Sequence, residues 1–249
     1  MINSKRGEKD GIVLFGYERK NNKKNDYSNN ENLNTENNLY SKTNLNSESF
    51  KEEYDKNNLL YDFIFPIEEE KEENYNLYEL PNFAIYYNVN DGNYYIKDFN
   101  TGVGALMKIK KYNIEGNTLI NIGANYLVVY IKKNKIIVKI FNNSILEKGN
   151  NTNANCDVKE FLIEENKNLL INIGRSQNCD VTIEDMMLSK IQCNIEYNSN
   201  EKKFYLNDGN GKKESTNGTW VFILNPTQIT NNFMFKAEHT LFVANLIVK

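Results

Sequence analysis

Apolar residues along this chain come in short runs separated by Asn, Gly and Asp. Phe83–Tyr87, Tyr94–Ile96, Tyr126–Ile131, Ile136–Phe141, Leu169–Ile173, Phe204–Leu206, Trp220–Leu224 and Thr240–Val248 are the clearest of them. Their Ile, Val, Tyr and Phe content suits a pleated, half-buried surface, so each predicts a strand. No window of helical length carries an apolar stripe of period 3.6. Many short strands joined by polar turns imply an all-β protein built as an antiparallel β-sandwich. Two further runs lie upstream: Leu59–Phe65, read as a strand, and Gly11–Gly16, which predicts a strand over residues 11–17.

The pattern breaks in two places. Asn21–Ser49 is dominated by Asn, Lys, Glu and Ser, and so few aliphatic side chains cannot offset the entropy of ordering a backbone. Residues 1–57 are therefore expected to be a largely disordered, Asn-rich segment, apart from the strand at 11–17. Glu68–Asn74, EEEKEEN, predicts a mobile acidic loop.

The ordered part repeats itself. FAIYYNVNDGNYYIKD, ending at Asp98, aligns without gaps on CNIEYNSNEKKFYLND, ending at Asp208, 110 positions later. Thr101–Leu106 then matches Ser215–Trp220, and the Thr118–Ile120 and Tyr126–Val129 runs match Phe233–Phe235 and Thr240–Val243. The expectation is two related sandwiches in tandem, over residues 58–131 and 135–249.

Composition narrows the function. The chain has 249 residues, 40 % of them hydrophobic, and a formal net charge of −3 from 30 basic and 33 acidic residues. A dedicated nucleic-acid binder usually carries a basic excess, because phosphate neutralisation supplies most of its affinity; no nucleic-acid partner is expected. The clusters Lys108–Lys111 and Lys132–Lys135 read as solvated strand ends. Three cysteines, with no CxxC pair and an odd count, argue against a disulfide framework and for a reduced intracellular compartment, cytoplasmic or nuclear. No apolar stretch approaches the ~18 residues of a membrane span, so no membrane partner is expected. The cysteines lack zinc spacing, and no metal or other cofactor is implied. Acidic pairs such as Glu184-Asp185 read as strand-end solvation rather than acid–base chemistry. Gly209–Thr216 imitates a phosphate loop only superficially, since Leu206 stands where GxxxxGK[ST] requires a glycine.

Polar residues that a plain sandwich does not need collect in three turns of the second copy. Gly174-Arg175-Ser176 follows a strand, Ser189-Lys190 precedes the strand Gln192–Tyr197, and Ser215-Thr216-Asn217-Gly218-Thr219 leads into Trp220. Turns of a sandwich gather at its two ends, so these three can converge on one rim. A guanidinium presents a planar fork of donors matched to phosphate oxygens, and a hydroxyl with neighbouring N–H groups completes an anion's shell. An Asn amide offers donor and acceptor together, which suits an extended peptide backbone. Singly, each residue has a plainer reading: a solvated Arg, a hairpin Asn-Gly, a Ser capping a turn.

Taken together and in order, Gly174-Arg175, Asn178-Cys179-Asp180, Leu188-Ser189-Lys190 and Ser215–Trp220 resemble the signature of the forkhead-associated (FHA) domain family, over roughly residues 135–249. That resemblance implies an eleven-stranded antiparallel sandwich whose loops bind phosphothreonine in a partner protein, with no catalytic residues. It implies that Arg175 and Ser189 hold the phosphate, with Lys190 in the same peptide-binding set. Thr216 and Asn217 would hold the peptide, and Gly174, Gly218 and Thr219 would set the turns, with Trp220 in the core. The family usually has a His three residues after the Ser, where its side chain braces the loops; Gln192 stands there. In the first copy Glu79 takes the place of Ser189, and Gly102 and Val103 those of Thr216 and Asn217. No Gly-Arg pair stands upstream at matching spacing. That copy resembles a degenerate FHA-like domain unable to bind phosphate. The alternative function is a phosphate-independent scaffold that uses the surface of the tandem sandwiches.

Overall fold

The computed structural model describes residues 12–17, 63–65, 82–99, 104–142, 156–237 and 240–247. The Asn-rich and acidic segments, Glu79, Gly102, Val103 and His239 lie outside the described residues. Every regular element among those described is a strand. In chain order they are β1 (Ile12–Tyr17), β2 (Phe63–Phe65), β3 (Phe83–Asn88), β4 (Asn93–Asp98), β5 (Ala105–Ile109), β6 (Lys111–Ile114), β7 (Thr118–Ile122), β8 (Asn125–Lys132) and β9 (Lys135–Asn142). There follow β10 (Asp157–Leu162), β11 (Leu169–Gly174), β12 (Val181–Thr182), β13 (Cys193–Asn198), β14 (Lys203–Asp208), β15 (Thr219–Phe222), β16 (Thr227–Gln228), β17 (Phe233–Ala237) and β18 (Thr240–Ala244).

The chain forms two compact units, and neither is a continuous stretch. Unit one comprises Met1–Ala105, Ile223–Phe233 and Ala237–Lys249; unit two comprises Leu106–Phe222 and Met234–Lys236. In unit two, one sheet has the order β12-β11-β13-β14-β6, and a second runs β10-β9-β8-β7-β15-β5-β17. Alternation decides which face each strand buries. Leu127 and Val129 of β8, and Ile136, Val138 and Ile140 of β9, point inward and are buried. Ile171, Ile173, Ile195 and Leu206 supply the core side of the other sheet and have no exposed surface. The result is a β-sandwich whose pairings among β5–β15 are antiparallel except that of β11 with β12, which is parallel.

Unit one contains a sheet of order β16-β4-β3-β1-β2. Its pattern repeats the first sheet of unit two strand for strand, including a single parallel pair, β1 with β2. Registers agree as well. Phe83 pairs with Asp98 as Cys193 pairs with Asp208, and Tyr87 with Tyr94 as Tyr197 with Phe204. The latter two pairs both bring aromatic rings together, at 5.0 and 4.7 Å. Phe15 stacks on Phe83 at 4.2 Å, and the Phe242 ring of β18 meets both edge-on.

The strand order of one sheet therefore recurs in both units, but the units do not follow the sequence repeat in chain order. The position between residues 131 and 135, where the sequence places the boundary, is the tight turn of the β8–β9 hairpin inside unit two. Strands β5–β8 of the first repeat build unit two with β9–β15. The β6 edge strand of the first repeat closes the sheet on β14, while β16 of the second repeat closes the sheet on β4. Each five-stranded sheet thus ends in a strand taken from the other repeat.

Candidate functional site

Three connections of unit two meet at one rim: residues 175–180 after β11, 183–192 between β12 and β13, and 209–218 between β14 and β15. Backbone hydrogen bonds draw the first two together. Arg175 N–H donates to the Ser189 carbonyl at 3.2 Å, and Ser176 N–H to the Lys190 carbonyl at 3.1 Å. Gly174 makes this approach possible, because a Cβ there would lie 2.4 Å from the Lys190 carbonyl oxygen and 2.9 Å from the Gln192 nitrogen. Any side chain would force the loops apart.

Gln192 ties the 183–192 connection to the 209–218 connection. It is fully buried. Its Oε1 accepts from Ser189 N–H at 3.0 Å, and its Nε2 donates to Ser215 Oγ at 2.8 Å and to the Gly218 carbonyl at 2.9 Å. An amide carries two donors and an acceptor on one planar group, so this side chain bridges the two connections with both of its amide hydrogens used. Beneath it, buried Asp208 accepts from the Ser215 hydroxyl (2.6 Å), the Thr219 hydroxyl (2.7 Å) and Ser215 N–H (3.0 Å). Asp98 of unit one accepts from Ala105 N–H in a related way.

At the surface, Ser189 Oγ accepts from Thr216 N–H at 3.0 Å. Accepting that bond polarises the hydroxyl, whose own proton has only the long 3.4 Å approach to Thr216 Oγ1. Asn217 is held by two bonds: Nδ2 donates to the Met187 carbonyl at 2.7 Å, and its carbonyl accepts from Trp220 Nε1 at 3.1 Å. Its carboxamide oxygen accepts nothing among the described residues. Gly218 has φ +76°, and a Cβ there would lie 2.6 Å from Lys108 Cε, so a left-handed turn and close packing both call for glycine. Arg175 and Lys190 are exposed, and neither side chain has a partner among the described residues. The site thus presents two cations, a polarised hydroxyl and an amide on a braced frame.

Three expectations need correction. Trp220 is half-buried rather than core: in the alternation of β15, Thr219 and Val221 point inward and Trp220 points the other way, with Lys236 Nζ 4.7 Å from its ring centre. Asp185 is not a solvated strand end, because its carboxylate accepts from Met187 N–H at 2.8 Å and Asn125 Nδ2 at 2.7 Å. Lys108, too, is half-buried in β5 beneath Gly218 rather than lying at a solvated strand end. Loop 209–214 folds on itself, with Asn210 Oδ1 accepting from Lys212 and Lys213 N–H at 3.0 and 2.8 Å. Burial raises the thiol pKa of Cys179 and Cys193, which keeps both protonated. Among the described residues no cluster of His, Cys, Asp and Glu suits a metal, and no helix is long and apolar enough to cross a membrane.

The sheet registers also show what sequence alignment missed. Phe15 pairs with Phe83 as Ile173 pairs with Cys193, so Gly16-Tyr17 of β1 occupies the place of Gly174-Arg175. The first repeat keeps the glycine and has a tyrosine for the arginine. The shared Gly was the available signal, hidden because residues 18–62 separate β1 from its sheet partner β2 in sequence.

No curated protein and no solved structure matches the chain significantly. The FHA domain family model matches residues 171–238, the stretch that carries all three rim connections.

Proposed function

We propose that this protein is a phosphothreonine-dependent interaction module, and that its rim in unit two receives the phosphorylated side chain. The observation that carries the reading is the convergence of exposed Arg175, without a side-chain partner among the described residues, with Ser189, Thr216 and Asn217 on a frame held by Gln192. FHA domains are interaction modules that bind phosphothreonine, and the family match spans this rim. Arg175 and Ser189 contact the phosphate, Lys190 adds charge beside it, and Thr216 and Asn217 hold the peptide backbone. The partner is a threonine-phosphorylated protein, and the role is that of a signalling adaptor, not an enzyme.

Magnitudes are adequate. Three or four charge-assisted hydrogen bonds at about 1.5–3 kcal/mol each cover a micromolar complex of about −8 kcal/mol. The first repeat, with the same strand order but Tyr17 in the arginine position, is a degenerate copy that does not read phosphate. A panel of phosphothreonine, phosphoserine and unmodified peptides, titrated at two ionic strengths, tests the proposal. Phosphothreonine binding that weakens with salt supports it; binding indifferent to both phosphate and salt points to a constitutive scaffold.

A further inference from the structure

We infer that the first repeat contributes a positioning element to the phosphate-reading rim: the β7–β8 turn, through Gly123, Ala124 and Asn125, holds the loop that carries Ser189. This rests on the reading of the rim given above. The link is Asp185, half-buried and ten residues after Arg175 in the chain. Its Oδ2 accepts from Asn125 Nδ2 at 2.7 Å and from Ala124 N–H at 3.3 Å. Its Oδ1 accepts from Met187 N–H at 2.8 Å, and its carbonyl accepts from Leu188 N–H at 3.1 Å. One carboxylate therefore ties the turn of one repeat to the loop of the other.

The approach is built in on both sides. Gly123 has φ +56°, and a Cβ there would sit 2.8 Å from Asp185 Oδ2 and 3.0 Å from Leu188 Cδ2. Leu188, 2 % exposed, anchors the loop from below. Asn125 is itself buried, and its carbonyl accepts from Asn121 Nδ2 at 3.2 Å, while Asn121 Oδ1 accepts from Lys236 Nζ at 2.7 Å. On the loop side, Met187 passes the constraint on, since its carbonyl holds Asn217 Nδ2 at 2.7 Å. Asn125, Asp185 and Met187 thus form a continuous chain of hydrogen bonds to the peptide-binding Asn217. Such a chain transmits position because each member has a fixed partner on both sides. Asp185 and Asn125 are positioning residues: they act through the loop rather than on the phosphate.

The experiment uses the full chain with Asn125→Ala, read by amide hydrogen exchange and by phosphothreonine-peptide titration. Exchange at Met187 and Leu188 is expected to quicken by about tenfold, the loss of one part-buried hydrogen bond, with β11 and β13 amides unchanged. Peptide affinity is expected to fall about fivefold, and in an Asn217→Ala background the same substitution should change affinity less than about twofold. A merely structural loss would act equally in both backgrounds. Unchanged exchange at Met187 and Leu188 in a folded variant overturns the inference. So does quicker exchange with undiminished affinity in a protein that binds the peptide. If the parent binds no phosphothreonine peptide, the reading of the rim fails, and the exchange result alone decides whether the turn holds the loop. Should Asn125→Ala not fold, Asp185→Asn breaks the same link and takes the same readouts.

Discussion

At the scale of residues, the rim depends on a few side chains whose removal has separable effects. Gln192→Ala removes the buried partner of the Ser189 N–H and of the Gly218 carbonyl, and one of the two partners of the Ser215 hydroxyl, which keeps Asp208. It is expected to lower unfolding free energy by about 3 kcal/mol in urea denaturation and to weaken peptide binding with it. Gly174→Ala drives a methyl group toward the Lys190 carbonyl and should cost about 2–3 kcal/mol by the same measurement. Thiol chemistry offers a further check. Burial raises the pKa of Cys179 and Cys193, so less thiolate is present at neutral pH. Iodoacetamide at pH 7.5 should label Cys156 first, with the other two reacting only as the pH rises or the protein unfolds. Equal labelling of all three in the native state would contradict the burial of the 179 and 193 thiols. The rim residues were legible in sequence because glycines and short polar side chains mark turns directly. Asp185 was not, because its role is set by a turn about sixty residues away in the chain.

At the scale of elements, strands with clean apolar alternation were legible to within a residue or two. The run Tyr126–Ile131 became β8 and Ile136–Phe141 became β9. Less legible were β6, which is half polar, and β10, whose residues are mostly exposed at a sheet edge. Propensity has little to say where a strand exists because a neighbour offers its hydrogen bonds. β6 matters most of these, since it pairs with β14 over four register positions from Phe204 to Asn207. Tyr112→Pro, opposite Leu206 in that pairing, removes a ladder donor and fixes φ. It is expected to lower the thermal midpoint by several degrees, corresponding to about 2–3 kcal/mol. An unchanged midpoint would mean that β14 does not depend on this edge strand.

At the scale of the whole molecule, the repeat was visible in sequence but the exchange of strands between repeats was not. Similarity between Thr118–Val129 and Phe233–Val243 is the same whichever sheet each pair of strands enters. Pairings across the repeats, β6 with β14, β15 with β5 and β7, and β16 with β4, distinguish consecutive units from interleaved ones. The consequence is concrete. A fragment of residues 135–249 lacks β5–β8 and therefore the strands that pair with β9, β14 and β15. It is expected to show a collapsed amide dispersion in two-dimensional NMR, whereas residues 105–237, which contain all of unit two, should give a dispersed spectrum. A well-folded 135–249 fragment would contradict the interleaved arrangement. The first repeat supplies β5–β8 to the sandwich on which the rim is built.

The measurement that bears most directly on the central claim is a titration of phosphothreonine peptides against the full chain and its Arg175→Ala variant, side by side. Binding that requires the phosphate and weakens about tenfold to a hundredfold in the variant is the expected result, matching the loss of charge-assisted hydrogen bonds worth about 1.5–3 kcal/mol. Equal affinity of the two proteins, or binding that persists on the unmodified peptide, would contradict it.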